Sequence, residues 1–269
     1  MGPGFSSPFA GRRVAITGAG GSLGVELLRA FHGCGASLVA LTTRAEPLQL
    51  TSAAGAPIAL EQCRWRCGQE AELSELLSEI DILVINHGVN THADRSGAAM
   101  ERSLEVNALS SLRLLELFAA APQAGHSSIK RGTGKRLRRE VWINTSEAEI
   151  LPAVSPLYEI SKRLLGQLLS LRALDLAGPE LRIRRLVLGP FRSDLNPIGL
   201  LGAGFVARAV LVFASWNLGL IIVSPNPLTY ALMPMVLLGR WTYMGLFSRR
   251  GQPPVSPHPE GTQPAGPPA

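Results

Sequence analysis

The sequence contains little lysine, tyrosine or cysteine. Its 269 residues include three lysines and three tyrosines, against twenty-three arginines. The three cysteines, Cys34, Cys63 and Cys67, are odd in number and lack paired spacing. This argues against a disulfide framework and favours a reducing, cytoplasmic compartment. Because no second Cys/His pair with zinc spacing accompanies Cys63 and Cys67, no metal site is predicted.

The sequence also lacks an apolar N-terminal core of the kind that a secretory signal has. Its net charge of +6 is modest, and much of that charge lies in a basic cluster at residues 130–139. Because no aromatic residues are interleaved with these charges, nucleic-acid binding is not predicted. We expect a solvated loop there, with contact to acidic lipid headgroups as the second interpretation.

Between residues 12 and 225, short β-rich apolar runs alternate with helical patterns. This alternation predicts an α/β domain, a doubly wound and mostly parallel Rossmann-type sheet of about seven strands with helices on both faces. Predicted strands cover residues 13–17, 37–42, 81–88, 141–146 and 183–189, with weaker candidates at 63–67 and 220–224. Predicted helices cover residues 22–33, 70–79, 98–121, 157–177 and 203–215.

The segments that flank this domain differ in composition. Residues 1–11 and 251–269 are rich in Pro, Gly and Ser and are predicted to be disordered. Residues 226–250 form an apolar C-terminal segment that follows the last predicted strand. Because the sheet is already complete, the sequence assigns this segment no place in the core.

Residues 228–247 of that segment are strongly apolar. Pro234, Gly239 and Arg240 predict a break into pieces of about ten residues, too short to cross about 30 Å of hydrocarbon. One interpretation is an interfacial helix in peripheral membrane contact, with aromatic residues at headgroup depth and arginines facing phosphate: Tyr230, Trp241, Tyr243, Arg240, Arg249 and Arg250. The alternatives are a cap over the substrate pocket or a contact with a second subunit. Each predicts an apolar entrance and a small lipophilic substrate.

A glycine-rich turn, TGAGGSLG at residues 17–24, joins the first predicted strand to the first predicted helix. Its glycines allow a tight turn and a closely packed helix, so that backbone N–H groups and the positive helix end face a pyrophosphate. A simple linking turn is the alternative, but the position between strand and amphipathic helix favours dinucleotide binding. The predicted cofactor-binding residues of this turn are Gly18, Gly20, Gly21, Ser22, Leu23 and Gly24.

The end of the second strand indicates which dinucleotide is bound. A carboxylate there would bond the ribose 2′-hydroxyl of NAD, whereas an arginine accommodates the 2′-phosphate of NADP. The stretch contains Thr43 and Arg44, and no acidic residue stands before Glu46. NADP(H) is therefore favoured over NAD(H), with Thr43 and Arg44 as contacts. A merely solvated Arg44 is the alternative.

Tyr158 and Lys162, in the segment SPLYEISKRLLG, are four residues apart. On a helix this spacing places both side chains on one face, about 5–6 Å apart. An ammonium group there favours the phenolate and lowers the pKa of the phenol toward working pH, as a general acid requires. An exposed pair without chemistry is the alternative, and the glycine turn upstream argues against it.

With these residues, the chain resembles the short-chain dehydrogenase/reductase family over about residues 12–225. The resemblance implies hydride transfer between a nicotinamide cofactor and a carbonyl or alcohol. It identifies Tyr158 with the proton donor and Lys162 with the lysine that holds the nicotinamide ribose. It identifies Ser146 with the serine that polarises the carbonyl. Because the interval to the tyrosine is twelve residues, one short of the usual thirteen, Thr145 is the alternative.

The resemblance extends to three further places. It identifies Asn107 with the asparagine that supports a water chain to the lysine. Asn86 and Gly88 correspond to the turn after the fourth strand, and Gly189 and Pro190 to the turn near the nicotinamide.

Several residues depart from the family pattern. Ile85 and His87 replace an Asn and an Ala of the fourth-strand turn, and residues 67–68 lack the Asp that contacts adenine. Ser22 gives the glycine turn the spelling T-G-x-x-G-x-x-G, which is typical of the extended branch that includes sugar-nucleotide epimerases and dehydratases. The chain stops too soon for the second domain of that branch.

The sequence supports three hypotheses about function. The leading one is an NADP(H)-dependent oxidoreductase acting on a lipophilic carbonyl or alcohol. The second, from the spelling of the turn, is a sugar-nucleotide epimerase or dehydratase, which would keep its cofactor bound through turnover. The third is an NADP-binding protein without catalysis. The resemblance also suggests a homo-oligomer.

Overall fold

The structure is a computed structural model that describes residues 7–121, 138–193, 196 and 198–249. Its strands are β1 (Arg13–Thr17), β2 (Ser37–Thr42), β3 (Glu61–Arg64), β4 (Ile82–Ile85), β5 (Arg139–Ser146), β6 (Leu181–Leu188), the two-residue β7 (Phe191–Arg192) and β8 (Leu201–Gly202), and β9 (Leu220–Val223). Its helices are α1 (Ser22–Gly33), α2 (Ser74–Ser78), α3 (Gly97–Leu104), α4 (Ser110–Ala120), α5 (Pro156–Leu176), α6 (Ala203–Ser215) and α7 (Pro227–Phe247).

Seven of the strands form one parallel sheet in the order β3-β2-β1-β4-β5-β6-β9. The chain winds outward from β1 in one direction and returns to begin the other half at β4, so a crevice opens at the carboxyl ends of these two neighbours. The predicted doubly wound α/β sheet is confirmed. The third strand lies at Glu61–Arg64 rather than at 63–67, because its pairing with β2 begins at Glu61.

Apolar layers cover both faces of the sheet. On one face Phe31 of α1 and Val210 of α6 belong to the same buried cluster. On the other, Phe118 of α4 and Leu165 of α5 pack over Leu83 of β4. Strands enclosed in this way have no solvent-facing side, which explains why they were recognisable as continuous apolar runs.

Two predicted helices are less regular than expected. The helix predicted at 98–121 contains a π-helical segment, Glu105–Leu109, between α3 and α4. The helix predicted at 70–79 begins with a 3₁₀ turn, Glu70–Leu73, that leads into the short α2. A π-helical turn inserts one extra residue, and such turns are frequent at functional sites.

The prediction of disorder for residues 1–11 is wrong for residues 7–11. Phe9 is only 3% exposed. Its ring stacks edge-on against Phe31 and Trp142, with centroid separations of 5.4 and 5.7 Å. One aromatic side chain therefore anchors a segment whose Gly, Pro and Ser content indicated disorder. The predicted disordered tail at 251–269 lies outside the described residues.

The basic cluster is likewise divided. Residues 130–137 lie outside the described residues, whereas Arg139 opens β5 and is 7% exposed. Its guanidinium donates to the carbonyl oxygens of Leu77 and Phe118 at 2.8 and 3.0 Å. Burial lowers the pKa of Arg139 to about 10. The prediction of a solvated loop is therefore wrong for this arginine.

The predicted breaks in the apolar segment 228–247 are also wrong, because α7 is one continuous helix of 21 residues with Pro234 inside it. Arg240, predicted to face phosphate, instead turns inward and lies 2.8 Å from the buried carboxylate of Glu149. Contacts with α5 and this ion pair hold α7 together across the proline. Within the described residues, no helix is both long and apolar enough to cross a membrane.

Candidate functional site

The glycine turn and the turn after β4 meet at the crevice between β1 and β4. The Thr17 hydroxyl at the end of β1 accepts hydrogen bonds from the backbone N–H groups of Asn86 and His87, at 2.8 and 3.2 Å. It also lies 2.9 Å from Nδ1 of His87. One threonine therefore joins the two turns that were predicted to bind the cofactor.

The glycines of the first turn are required by their surroundings. Gly18 has a φ of +63°, and a Cβ there would stand 2.9 Å from Cα of His87. A Cβ at Gly24 would collide with the backbone of Gly18 and Ala19. Gly21 precedes α1 and Ser22 and Leu23 begin it; the first two are partly buried, Leu23 is buried, and no side chain caps the first N–H groups of the helix. The N–H of Gly21 donates to the Gly18 carbonyl at 3.0 Å, which closes the turn, so the N–H groups of the first helical turn are the donors that would face a phosphate.

Arg44 lies over this cradle. A Cβ at Gly20 would stand 3.1 Å from Nε of Arg44. The Arg44 backbone N–H donates to the Thr42 hydroxyl at 3.2 Å, which fixes the loop after β2. Both Thr43 and Arg44 are exposed beside the turn. The sequence placed this arginine near the adenosine ribose, and the structure brings it against the glycines.

Lys162 connects the helix α5 to the crevice. Its Nζ donates to the carbonyl oxygen of Asn144 at 3.1 Å. The side-chain amide of Asn144 in turn donates to Oδ1 of Asn86 at 2.9 Å. Burial lowers the pKa of Lys162 to about 8, partly offset by the charge of Glu149. Lys162, Asn144 and Asn86 thus form a continuous polar path between α5 and the turn after β4.

Tyr158 lies beside Lys162 and Ser146. The Lys162 Nζ is 5.7 Å from the centroid of the Tyr158 ring. Burial raises the pKa of Tyr158, a hydrogen bond from Ser146 opposes this, and the charge of Glu147 raises it further. The expectation that the lysine lowers this pKa is therefore wrong here, because burial outweighs the other contributions.

The structure separates Ser146 from the alternative, Thr145. The Thr145 hydroxyl donates to the carbonyl oxygen of Leu186 at 3.1 Å, within the sheet. Ser146 ends β5, and its hydroxyl accepts from the backbone N–H of Ala148 at 3.2 Å while lying within hydrogen-bonding reach of Tyr158. Of the two side chains, Ser146 is the one directed to the tyrosine.

Asn107 occupies the π-helical segment and holds the loop after β4. Its Oδ1 accepts from the Val89 N–H at 2.8 Å, and its Nδ2 donates to the Val89 carbonyl and to the Ser161 hydroxyl, both at 2.9 Å. A Cβ at Gly88 would stand 3.2 Å from Oδ1 of Asn107. The side chain therefore positions residues 88–89 and α5 through Val89 and Ser161, and it makes these hydrogen bonds without the lysine.

Gly189 and Pro190 follow β6 at the same edge of the sheet. The Gly189 N–H donates to the Val223 carbonyl at 2.9 Å, and a Cβ there would stand 2.6 Å from the Ser224 hydroxyl. This turn is therefore packed against the segment that leads from β9 to α7.

Sequence reasoning missed two carboxylates, Glu147 and Glu149, that directly follow Ser146. Glu147 accepts from the Ser224 hydroxyl at 2.5 Å and from the Thr229 hydroxyl at 3.0 Å. Glu149 is buried between Arg185 and Arg240, each with its Nη1 within 2.7 to 2.8 Å of Oε2. Two acids at the end of a buried strand were a visible signal, but their partners lie too far away in sequence to be deduced.

The departure at His87 is also explained by packing. Its ring stands edge-on to Trp65, which follows β3, with centroids 5.2 Å apart. Burial lowers the pKa of His87 to about 4, and the nearby charge of Lys162 lowers it further. Within the described residues, no group of His, Cys, Asp and Glu side chains could hold a metal ion.

Comparison with known proteins adds relatives of two kinds. No protein-family model matches the sequence. A monoglucosyldiacylglycerol epimerase from a Synechocystis species is 44% identical over 227 residues, which make up 84% of this chain and 52% of the relative. The chain thus spans about half the length of the curated relative it matches.

Solved structures of short-chain dehydrogenases share the fold. One from Burkholderia cenocepacia, in complex with NADP, has a TM-score of 0.68 and 17% identity, covering 90% of this chain and 99% of that one. A 7α-hydroxysteroid dehydrogenase complexed with NADH and 7-oxo glycochenodeoxycholic acid has a TM-score of 0.61 and 25% identity, covering 80% of this chain and 93% of that one. With Ser146, Tyr158 and Lys162 gathered beside the glycine crevice, the chain belongs to the short-chain dehydrogenase/reductase family.

Proposed function

We propose that this chain is an NADP(H)-dependent enzyme that transfers a hydride to and from a secondary alcohol or carbonyl carbon of a lipophilic substrate. The observation that carries the proposal is the convergence of Ser146, Tyr158 and Lys162 beside the glycine crevice. A phenol, a second hydroxyl and a cation in one place are the groups that carbonyl reduction requires.

The crevice fits a dinucleotide. Gly18 and Gly24 leave no room for side chains, so backbone N–H groups of the turn can approach a pyrophosphate. Asn86 and Gly88 lie in the turn that Thr17 joins to the glycine turn, and Gly189 and Pro190 would contact the cofactor farther along the same edge of the sheet. A nicotinamide bound there would accept or return a hydride.

Tyr158 would carry the proton. With its pKa raised by burial and by Glu147, the phenol is protonated at neutral pH and can donate to a carbonyl oxygen. The Ser146 hydroxyl would donate a hydrogen bond to the same oxygen. In the reverse direction the alcohol loses its hydride to the cofactor and its proton to Tyr158, so the exchange balances. Lys162 would contact the nicotinamide ribose.

The preference for NADP(H) is supported by Arg44. Its guanidinium lies against Gly20, next to the position of an adenosine ribose, and a 2′-phosphate would receive charge-assisted hydrogen bonds from it. We expect Arg44→Ala to weaken NADPH binding about tenfold or more, with little change for NADH. Calorimetry with both cofactors measures this, with Arg29→Ala on the exposed side of α1 as the control. Equal losses for NADPH and NADH would remove the support for NADP.

The substrate class that we favour is the sugar headgroup of a glycolipid, and the favoured net reaction is epimerisation at one carbinol carbon. The 44% identity to a glycolipid epimerase and the T-G-x-x-G-x-x-G spelling both support it. Epimerisation through a transient ketone returns the hydride to the opposite face of the same carbon. It therefore consumes no NADPH, which separates it from the second candidate, net reduction of a lipophilic ketone.

The experiment supplies the purified protein with NADP and with vesicles that contain monoglucosyldiacylglycerol deuterated at its sugar carbinol positions. The expected product is an epimer that retains the deuterium, formed without net change in NADPH. Tyr158→Phe should lower kcat by about a thousandfold while calorimetric NADPH binding stays near normal. Stoichiometric NADPH consumption with a ketone panel would favour the reductase, and cofactor binding without turnover of either would favour a non-catalytic binding protein.

A further inference from the structure

Helix α7 buries only a narrow stripe. Thr229 and Met233 are fully buried, and Arg240 turns inward to Glu149. The spacing of these three residues places them on one face of the helix. The remaining, exposed surface of the helix, here called the outer face of α7, is apolar as well. It holds nine of the twenty exposed large hydrophobic residues found in the described part of the chain: Leu228, Tyr230, Leu232, Met235, Leu238, Trp241, Tyr243, Leu246 and Phe247. A contiguous apolar surface of this kind marks an interaction site.

The outer face is held at a fixed angle to the catalytic residues. Thr229, in the first turn of α7, donates to Glu147 at 3.0 Å. Arg240, in its second half, lies 2.8 Å from Glu149, with a side chain that is 9% exposed. Both carboxylates belong to the 3₁₀ turn Glu147–Glu149 that directly follows Ser146. The helix is therefore attached at two points to the turn beside the active site.

The charge of α7 favours an anionic partner. Pro227–Phe247 contains no Asp or Glu, and the exposed Arg249 lies two residues beyond its end. The whole chain carries a net charge of +6. A second copy that met this helix through its own α7 would bring no carboxylate from that helix to the arginine. A surface of lipid phosphates would supply the counterion.

We propose that the outer face of α7 docks on the surface of an anionic lipid bilayer, with the helix lying in the plane of the membrane and the entrance of the catalytic site directed to it. The proposal rests on the proposed function, in that a lipophilic substrate would be reached from the bilayer. Trp241 and the two tyrosines, Tyr230 and Tyr243, are the side chains suited to headgroup depth. The aliphatic residues between them enter the acyl region.

The experiment uses the two exposed tryptophans as separate reporters. Trp241 is 63% and Trp216 is 65% exposed, whereas Trp65 and Trp142 are buried. Vesicles of phosphatidylcholine and phosphatidylglycerol whose acyl chains are brominated close to the headgroup quench tryptophans that lie at the membrane interface. We expect quenching in the full chain and in Trp216→Phe, and its loss in Trp241→Phe. Vesicles of phosphatidylcholine alone should bind more weakly.

Flotation with the same vesicles gives a second readout. Leu238→Glu/Phe247→Glu should reduce the bound fraction about tenfold or more, because charges replace buried apolar area. Met100→Glu, an exposed apolar position on α3, should bind normally. The conservative Trp241→Phe variant keeps the test valid even if the double variant does not fold.

Three outcomes would overturn the proposal. These are an absence of binding to anionic vesicles by the folded protein, quenching that depends on Trp216 instead of Trp241, and a dimer in light scattering that Leu238→Glu/Phe247→Glu dissociates while vesicles do not bind. Oxidation of a water-soluble alcohol by the same variants separates this proposal from the proposed function. Loss of docking should leave that activity within about threefold, since the substrate then arrives from solution.

Discussion

Gly166 on α5 makes room for the carboxylate of Glu149. A Cβ at this position would collide with the carboxylate and would stand 2.9 Å from Nη1 of Arg240. The same carboxylate accepts from Arg185 of β6 at 2.7 Å. The Arg185 guanidinium reaches the Gly166 carbonyl at 3.2 Å. The absence of one side chain on α5 therefore permits the ion-pair cluster that joins β6, the turn after Ser146 and α7.

We predict that Gly166→Ala destabilises the protein by about 3 kcal/mol, because displacing Glu149 leaves buried arginines without their counterion. Urea unfolding at pH 7 measures the change. Gly239→Ala on α7 is the matched control, since nothing lies within 4 Å of the added carbon. It should be neutral or stabilising by up to about 1 kcal/mol. Equal effects of the two substitutions would show that helix propensity, and not the cluster, decides stability.

Glu147 is predicted to set the pH range of catalysis through its charge. Because this charge raises the pKa of Tyr158, Glu147→Gln should lower that pKa. Reduction, which needs the protonated phenol, should then decline at lower pH, and oxidation, which needs the phenolate, should set in at lower pH. Profiles of kcat against pH in both directions measure this.

The amide of Glu147→Gln can still accept from Ser224 and Thr229, so the plateau value of kcat should stay within about tenfold. Glu101→Gln, on the exposed side of α3, is the control and should leave both profiles in place. Profiles that move in opposite directions would contradict a shared dependence on Tyr158.

Local patterns predicted the fold and the centre of the site, whereas long-range partners could not be predicted. Continuous apolar strands and the spacing of Tyr158 and Lys162 are encoded within a few residues. The position of α7 depends on the ion pair between Glu149 and Arg240, which are 91 residues apart in the sequence. Pro234 predicted a break in α7 because proline locally disfavours a helix. Long-range contacts, which a local sequence pattern does not contain, override that preference.

The order at Phe9 and the raised pKa of Tyr158 illustrate the same limit. Residues 7–11 have the composition of a disordered segment, yet the ring of Phe9 packs against Phe31 and Trp142. The sequence correctly placed a cation beside the phenol. The sequence pattern did not reveal how deeply Tyr158 is buried, and burial outweighs the other contributions to its pKa.

Lys162 is predicted to destabilise the folded protein, although turnover requires it. A pKa of about 8 in place of 10.5 corresponds to about 3 kcal/mol of unfavourable burial at pH 7, where the group is protonated in both the folded and unfolded states. Lys162→Met should therefore stabilise the protein at pH 7 by about 1–3 kcal/mol, less the hydrogen bond lost by the Asn144 carbonyl. The gain should shrink between pH 8 and 10.5 as the unfolded state alone remains protonated. Turnover should be lost, and a less stable variant at pH 7 would contradict the account.

His87 is predicted to make the fold sensitive to acid. Its pKa falls from 6.5 to about 4 on folding, so its neutral form stabilises the protein above pH 6.5, and this contribution is lost as the pH falls toward 4. We expect about 3 kcal/mol of the loss of unfolding free energy between pH 7 and pH 4 to come from this residue. His87→Ala removes the contacts with Thr17 and Trp65 and should be less stable at pH 7, but its stability should depend less on pH. His32→Ala, at an exposed position on α1, should keep the slope of the unaltered protein. Urea unfolding at pH 7, 5.5 and 4 compares the three proteins, and an unchanged slope in His87→Ala would assign the acid sensitivity to other groups.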